Sequence, residues 1–211
     1  EASLVEKDYH VTQVLSRLSE FQSEHFILVF AGGTCLSKTI EGLCRMSEDI
    51  DLKLVPTDTG ALLSKTKRKA ELSKVKKSIT KSLLDIGYES SILKEENGNQ
   101  HIEWEVVYEA VTEPLDALRP NIQVETTYCE NFSSYQSQSF GSMIADATQS
   151  PAEVKSILCV DVTYTVAEKI VSLILNRGNK PMAKWTIRDE YLNLPASNIL
   201  LFPCIQSPIF L

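Results

Sequence analysis

The chain has 211 residues, 43% of them hydrophobic, and a formal net charge of −7. That is enough to bury one sizeable core with room for a second helical lobe, and the charge excludes a global basic field that would draw the protein to nucleic acid. No apolar run reaches membrane-spanning length, and the N-terminus lacks a basic-then-apolar leader. The five cysteines (Cys35, Cys44, Cys129, Cys159, Cys204) are scattered, with no Cys-x-x-Cys and no zinc spacing among three histidines, so the expectation is a reduced cytoplasmic protein.

In chain order, residues 3 to 20 read as a helix, with Leu4, Val11, Val14, Leu15 and Leu18 at helical spacing. Asp8 and Tyr9 fall off that stripe, and His10 and His25 suggest no chemistry. Phe26 to Phe30 is a short apolar run suited to a buried strand. Gly32-Gly33 then make a turn, and Thr34 to Ile40 a short helix. A second strand carries Asp49 and Asp51, which share a face and lie roughly 6.6 Å apart along the chain. Ile50 and Leu52 point to the core.

Pro56-Thr57-Asp58-Thr59-Gly60 marks a turn. A long helix is expected at about 61–86, its inner stripe made of Leu62, Leu63, Leu72, Val75, Ile79, Leu83 and Ile86. Lys65, Lys67, Arg68, Lys69, Lys74, Lys76, Lys77 and Lys81 make its polar face basic, holding 8 of the 21 basic residues against one acid, Glu71, between positions 65 and 81. Such segregation in an acidic chain favours a phosphate-backbone contact, and a solvated helix face is the alternative. A hairpin follows, 88–93 and 101–108 about Asn97-Gly98. Residues 122–128 alternate as another strand. Ser133 to Ser139 is polar and expected to be a loop, and no chemistry is visible between 129 and 160. Val162 to Leu175 reads as a helix with Val166, Ile170, Leu173 and Ile174 inward, closed by Arg177-Gly178-Asn179.

Two features together suggest chemistry. The diglycine turn lets backbone approach a ligand, and its N–H groups at a helix start suit phosphate. Two carboxylates on one strand face are costly unless a cation lies between them. Phosphate beside divalent metal is the apparatus of phosphoryl or nucleotidyl transfer.

The string Gly32-Gly33-Thr34, Leu36-Ser37-Lys38, Arg45 and Ser47-Glu48-Asp49-Ile50-Asp51-Leu52 resembles the signature of AbiEii-type nucleotidyltransferases of the DNA polymerase β-like superfamily. These act as toxins in toxin–antitoxin and abortive-infection systems. Glu6-Lys7-Asp8-Tyr9, Val11-Thr12 and Val14-Leu15 resemble the family's opening helix. Ala167-Glu168-Lys169 and Arg188-Asp189-Glu190-Tyr191 resemble its later motifs, although Leu192 stands where a second aspartate is expected.

The resemblance implies an α+β fold: a polymerase β-like core of mixed sheet and helices over 1–150, and a mostly helical C-terminal part over 151–211. It implies two Mg²⁺ ions on Asp49, Asp51 and a third carboxylate. Glu125 is the choice for the third, with Glu103 and Glu105 as competitors on a neighbouring alternating stretch. Gly32, Gly33, Thr34, Ser37, Lys38 and Lys169 would bind the phosphates of a nucleoside triphosphate, and Asp189 would orient Lys169 or the acceptor. The implied activity is transfer of a nucleoside monophosphate to RNA, the 3′ end of tRNA in particular, by a toxin with a cognate antitoxin. The alternatives are an inactive RNA- or protein-binding module of the same fold and a transferase for a small antibiotic-type acceptor.

Overall fold

A computed structural model describes residues 2–40, 47–113, 115–116 and 118–177. Among these residues one mixed sheet of seven strands forms the centre, in the order β3-β4-β5-β2-β1-β7-β6. Its strands are β1 (Phe26–Ala31), β2 (Asp49–Pro56), β3 (Glu89–Glu96), β4 (His101–Val107), β5 (Asn121–Tyr128), β6 (Tyr135–Phe140) and β7 (Val154–Val160). The helices are α1 (Ala2–Ser19), α2 (Gly32–Thr39), α3 (Asp58–Ala61), α4 (Lys65–Asp85), α5 (Met143–Thr148) and α6 (Val162–Arg177). The α+β class read from the sequence is the one observed.

The apolar run at 26–31 is continuous because β1 is covered on both faces. Phe26, Leu28 and Phe30 join the larger core with α1, α4 and the inner faces of β2, β4 and β5. Val29 and Ala31 join a smaller one with Val55, Phe132 and Val160 on the opposite face. Trp104 of β4 is fully buried in the larger core, and its indole N–H donates to Thr80 Oγ1 of α4 at 2.9 Å. That bond satisfies the one polar atom of the largest buried side chain.

Several details differ from the sequence reading. The helix expected at 61–86 begins only at Lys65, after a break that follows the short α3 and ends where Ser64 caps α4 by accepting from Lys67 N. Leu62 falls in that break and is 88% exposed, so it is no part of the inner stripe, and Ile86 past the end of α4 is exposed too. Ile170, expected to point inward, is at the surface. The polar segment expected to be a loop is β6, antiparallel to β7. An edge strand pairs on one side only, so its outward positions tolerate glutamine and serine. Finally, β7 lies beyond the expected division at 150 and pairs in parallel with β1 (Val29 with Leu158, Phe30 with Cys159), inside the same sheet.

Candidate functional site

Alternation along β2 sends Ile50, Leu52 and Leu54 into the core with α1 and α4, and leaves Asp49, Asp51 and Lys53 on the opposite face. On β5, Ile122, Val124 and Thr126 are buried while Gln123, Glu125 and Thr127 face the other way. The two strands run parallel with Asp51 opposite Glu125, so these carboxylates stand on adjacent strands roughly 4.8 Å apart at the backbone. Glu103 is the register partner of Glu125 on β4, one strand further from Asp51. It accepts from His101 Nε2 at 2.9 Å and lies 3.6 Å from Lys94. Glu105 accepts from the Asn121 side-chain amide. Of the three candidates for the third carboxylate, Glu125 is the direct neighbour of Asp51.

The diglycine turn closes one side. Ala31 is the register partner of Asp51, so Gly32 follows directly beside that carboxylate, with φ at +75°. A Cβ built on Gly32 would fall 1.8 Å from Asp51 Oδ2. Among the described residues no side chain caps the start of α2 at Ala31, which leaves its first N–H groups their donor capacity there.

The wall opposite comes from α6, which starts where Asp161 accepts from Ser134 Oγ at 2.7 Å and from Thr165 N at 3.1 Å. It brings Glu168 and Lys169 to a cleft of about 630 Å³ that Gly32, Asp51, Lys53 and Glu125 also line. Lys53 pairs with Glu168 at 2.7 Å beneath the rings of Phe132 and Tyr164. Lys53 is a site residue that the sequence reading did not single out, and Glu168 entered it only as part of the motif around Lys169. The signal for Lys53 was present, since it continues the alternation of Asp49 and Asp51.

The electrostatics reflect this crowding. Burial, then the charges of Glu125 and Asp49, push the Asp51 carboxyl up to about 6, against the opposing pull of Lys169 and Lys53. A carboxylate so penalised in its own surroundings is what a divalent cation relieves, and all-oxygen donors suit Mg²⁺. The donor set therefore fits the metal that the sequence suggested. Beside it, His101, Glu103 and Glu125 each bring a ligand atom within 4.8 Å of the others.

Not every expected nucleotide contact reaches the cleft. Thr34 Oγ1 donates to the Asp49 carbonyl and Ser37 Oγ to the Thr34 carbonyl at 2.9 Å, tying α2 to β2 and to itself. Lys38 is turned away: its ammonium is 2.6 Å from Asp8 Oδ1 and donates to the Gly141 carbonyl at 3.1 Å. Asp189, with the rest of the Arg188–Tyr191 motif, lies outside the described residues. The basic residues of α4 sit across the sheet from the carboxylates, since Leu72, Val75, Ile79 and Leu83 of α4 pack on the same face as Ile50 and Leu52. Arg68, Lys74 and Lys76 are paired with Glu130, Glu71 and Glu95.

A family model described as nucleotidyl transferase AbiEii toxin, type IV TA system, matches residues 13–191. The chain belongs to the AbiEii nucleotidyltransferase toxin family. The match takes in the diglycine turn, the acidic strand and the Ala167-Glu168-Lys169 segment, and begins after the Glu6–Tyr9 stretch. Among solved structures the chain is similar to MenT4, a nucleotidyltransferase toxin from Mycobacterium tuberculosis H37Rv. Identity is 17% and the TM-score 0.47, over 80% of this chain and 54% of MenT4. The chain thus spans about half of that protein's length. No curated protein is significantly similar in sequence. No helix among the described residues is long and apolar enough to cross a membrane.

Proposed function

We propose that the protein is a Mg²⁺-dependent toxin that transfers a nucleoside monophosphate from a nucleoside triphosphate to RNA, the 3′ end of a tRNA being the preferred acceptor, and that a cognate antitoxin restrains it in the cytoplasm. The observation that carries this reading is the convergence of Asp51, Glu125 and the Gly32 turn on one cleft faced by Lys169. Asp49, Asp51 and Glu125 are the residues that would hold two metal ions, which when bound neutralise the triphosphate and acidify the acceptor hydroxyl. The uncapped N–H groups at the start of α2 donate to phosphate oxygens. Lys169 presents an ammonium to the charge that develops as the acceptor oxygen bonds to the α-phosphorus and the bond to pyrophosphate breaks. Lys53, held by Glu168, keeps a second cation at the cleft floor. No side chain has to become covalently attached.

The position of α4 favours a second reading for the acceptor. Its lysines lie across the sheet from the cleft, so an RNA held there is held far from the reacting end. A small acceptor, of the kind other transferases modify on antibiotics, needs no such helix. Incubation with each labelled nucleoside triphosphate, Mg²⁺ and total RNA decides the matter. Label is expected on RNA, and is expected to vanish with Asp51→Ala. Label that stays off RNA with all four nucleotides overturns the RNA reading. Retention of label by a folded Asp51→Ala protein overturns the catalytic one.

A further inference from the structure

Three consecutive side chains of α1 reach three separate parts of the molecule, and the chemistry above uses none of them. Glu6 accepts from Val111 N at 2.6 Å and from Thr112 N at 3.1 Å. Asp8 takes the Lys38 ammonium at the end of α2 and the Met143 N–H of α5 at 2.7 Å. Lys7, between them, is fully buried.

The surroundings of Lys7 lead to the carboxylates. Its ammonium donates to the carbonyls of Arg119, at 2.8 Å, and of Asn121, and lies 3.6 Å from Glu48 Oε2 and 5.3 Å from the centre of the Tyr108 ring. Glu48 Oε2 also accepts from Arg119 N at 3.0 Å. The Arg119 guanidinium in turn donates to Asp49 Oδ1 at 2.8 Å and to Gln123 Oε1 at 2.6 Å. One buried cation thus gathers the residue before Asp49 and the segment that enters β5, the strand carrying Glu125. Packing alone does not call for an ammonium here, because an apolar side chain of similar length fills a core without the cost of desolvating a charge. What needs the charge is the cluster of carbonyls and Glu48 at the entry to both acidic strands.

We propose that Lys7 is a positioning residue for the carboxylate cluster: acting through Glu48 and the 119–121 segment, it fixes Asp49 relative to Asp51 and Glu125, and so sets metal affinity. This rests on the metal-binding reading above. Groups that orient metal ligands from behind typically change affinity by about 10- to 100-fold when removed.

The test is Mn²⁺ affinity, read from free Mn²⁺ by electron paramagnetic resonance, for the wild type, Lys7→Met, Glu48→Gln, Asp51→Ala and Leu83→Ala. The last destabilises the core through α4, away from the site, and controls for stability loss. Lys7→Met and Glu48→Gln are expected to weaken Mn²⁺ binding by about tenfold or more, while Leu83→Ala lowers the melting temperature and leaves affinity alone. A folded Lys7→Met protein with wild-type affinity overturns the proposal, as does an equal loss in Leu83→Ala. Should Lys7→Met fail to fold, Glu48→Gln decides alone, since Glu48 sits at the edge of the network with 12% of its side chain exposed. Equal binding by wild type and Asp51→Ala removes the metal-binding reading itself, and this proposal with it.

Discussion

Gly32 stands so close to Asp51 that a single added carbon at its Cβ position would overlap the carboxylate, at 1.8 Å from Oδ2. Its φ of +75° adds the cost of a left-handed backbone for any side chain. Gly32→Ala is therefore expected to destabilise the fold by about 1–3 kcal/mol and to displace Asp51. Urea unfolding checks the first effect. Loss of Mg²⁺-dependent thermal stabilisation by a mixture of nucleoside triphosphates checks the second.

Asp51 also makes stability depend on pH. Its carboxyl is raised to about 6 in the folded protein, from 3.8, so the uncharged form is favoured by folding. The corresponding stability is fully present below pH 4 and is lost as pH rises through 6. In EDTA, Asp51→Asn should therefore be more stable than wild type at pH 7, by about 1–3 kcal/mol, with the gap closing at pH 4. Urea melts at the two pH values measure it; a gap that widens toward pH 4 contradicts the assignment.

The Lys38–Asp8 pair leaves each side chain only 8% exposed. Lys38→Met strands a buried carboxylate and should cost about 3–5 kcal/mol. Removing both charges, as Lys38→Met with Asp8→Asn, should cost clearly less than the sum of the single changes. A double-mutant cycle by chemical denaturation checks this. An additive result, with triphosphate affinity lost in Lys38→Met, would instead return Lys38 to the phosphates.

On α4, Lys67, Lys74, Lys77 and Lys81 fall on one exposed stripe. Reversal of Lys67, Lys77 and Lys81 to glutamate should change stability by less than about 0.5 kcal/mol, as surface changes do. If this stripe grips RNA, the slope of log affinity against log salt should fall by about 0.7 per lost contact. An unchanged slope assigns the acceptor to another surface.

The parts of this molecule that local periodicity controls were legible in its sequence. The apolar run of β1, the alternation at 49–52 and the Asn97-Gly98 turn all lie where the pattern puts them, because each depends on neighbours a few residues away. The rest depends on partners far along the chain. Which glutamate stands next to Asp51 is decided by strand order, and only the parallel pairing of β2 with β5 separates Glu125 from Glu103. The polar β6 gave no strand signal because one side of it is an edge. Lys7 and Asp8 are buried although a periodicity count treats every charge as exterior. Their partners, Glu48 and Lys38, are 41 and 30 residues downstream. The 178–211 segment, with its Arg-Asp-x-Tyr motif, lies outside the described residues.

The sheet that separates α4 from the carboxylates also makes the described part of the molecule two-sided. A partner that seats on the lysine stripe lies on the face opposite Asp51 and Glu125, away from the residues that line the cleft. From that side it can act on the carboxylates only through the strands themselves.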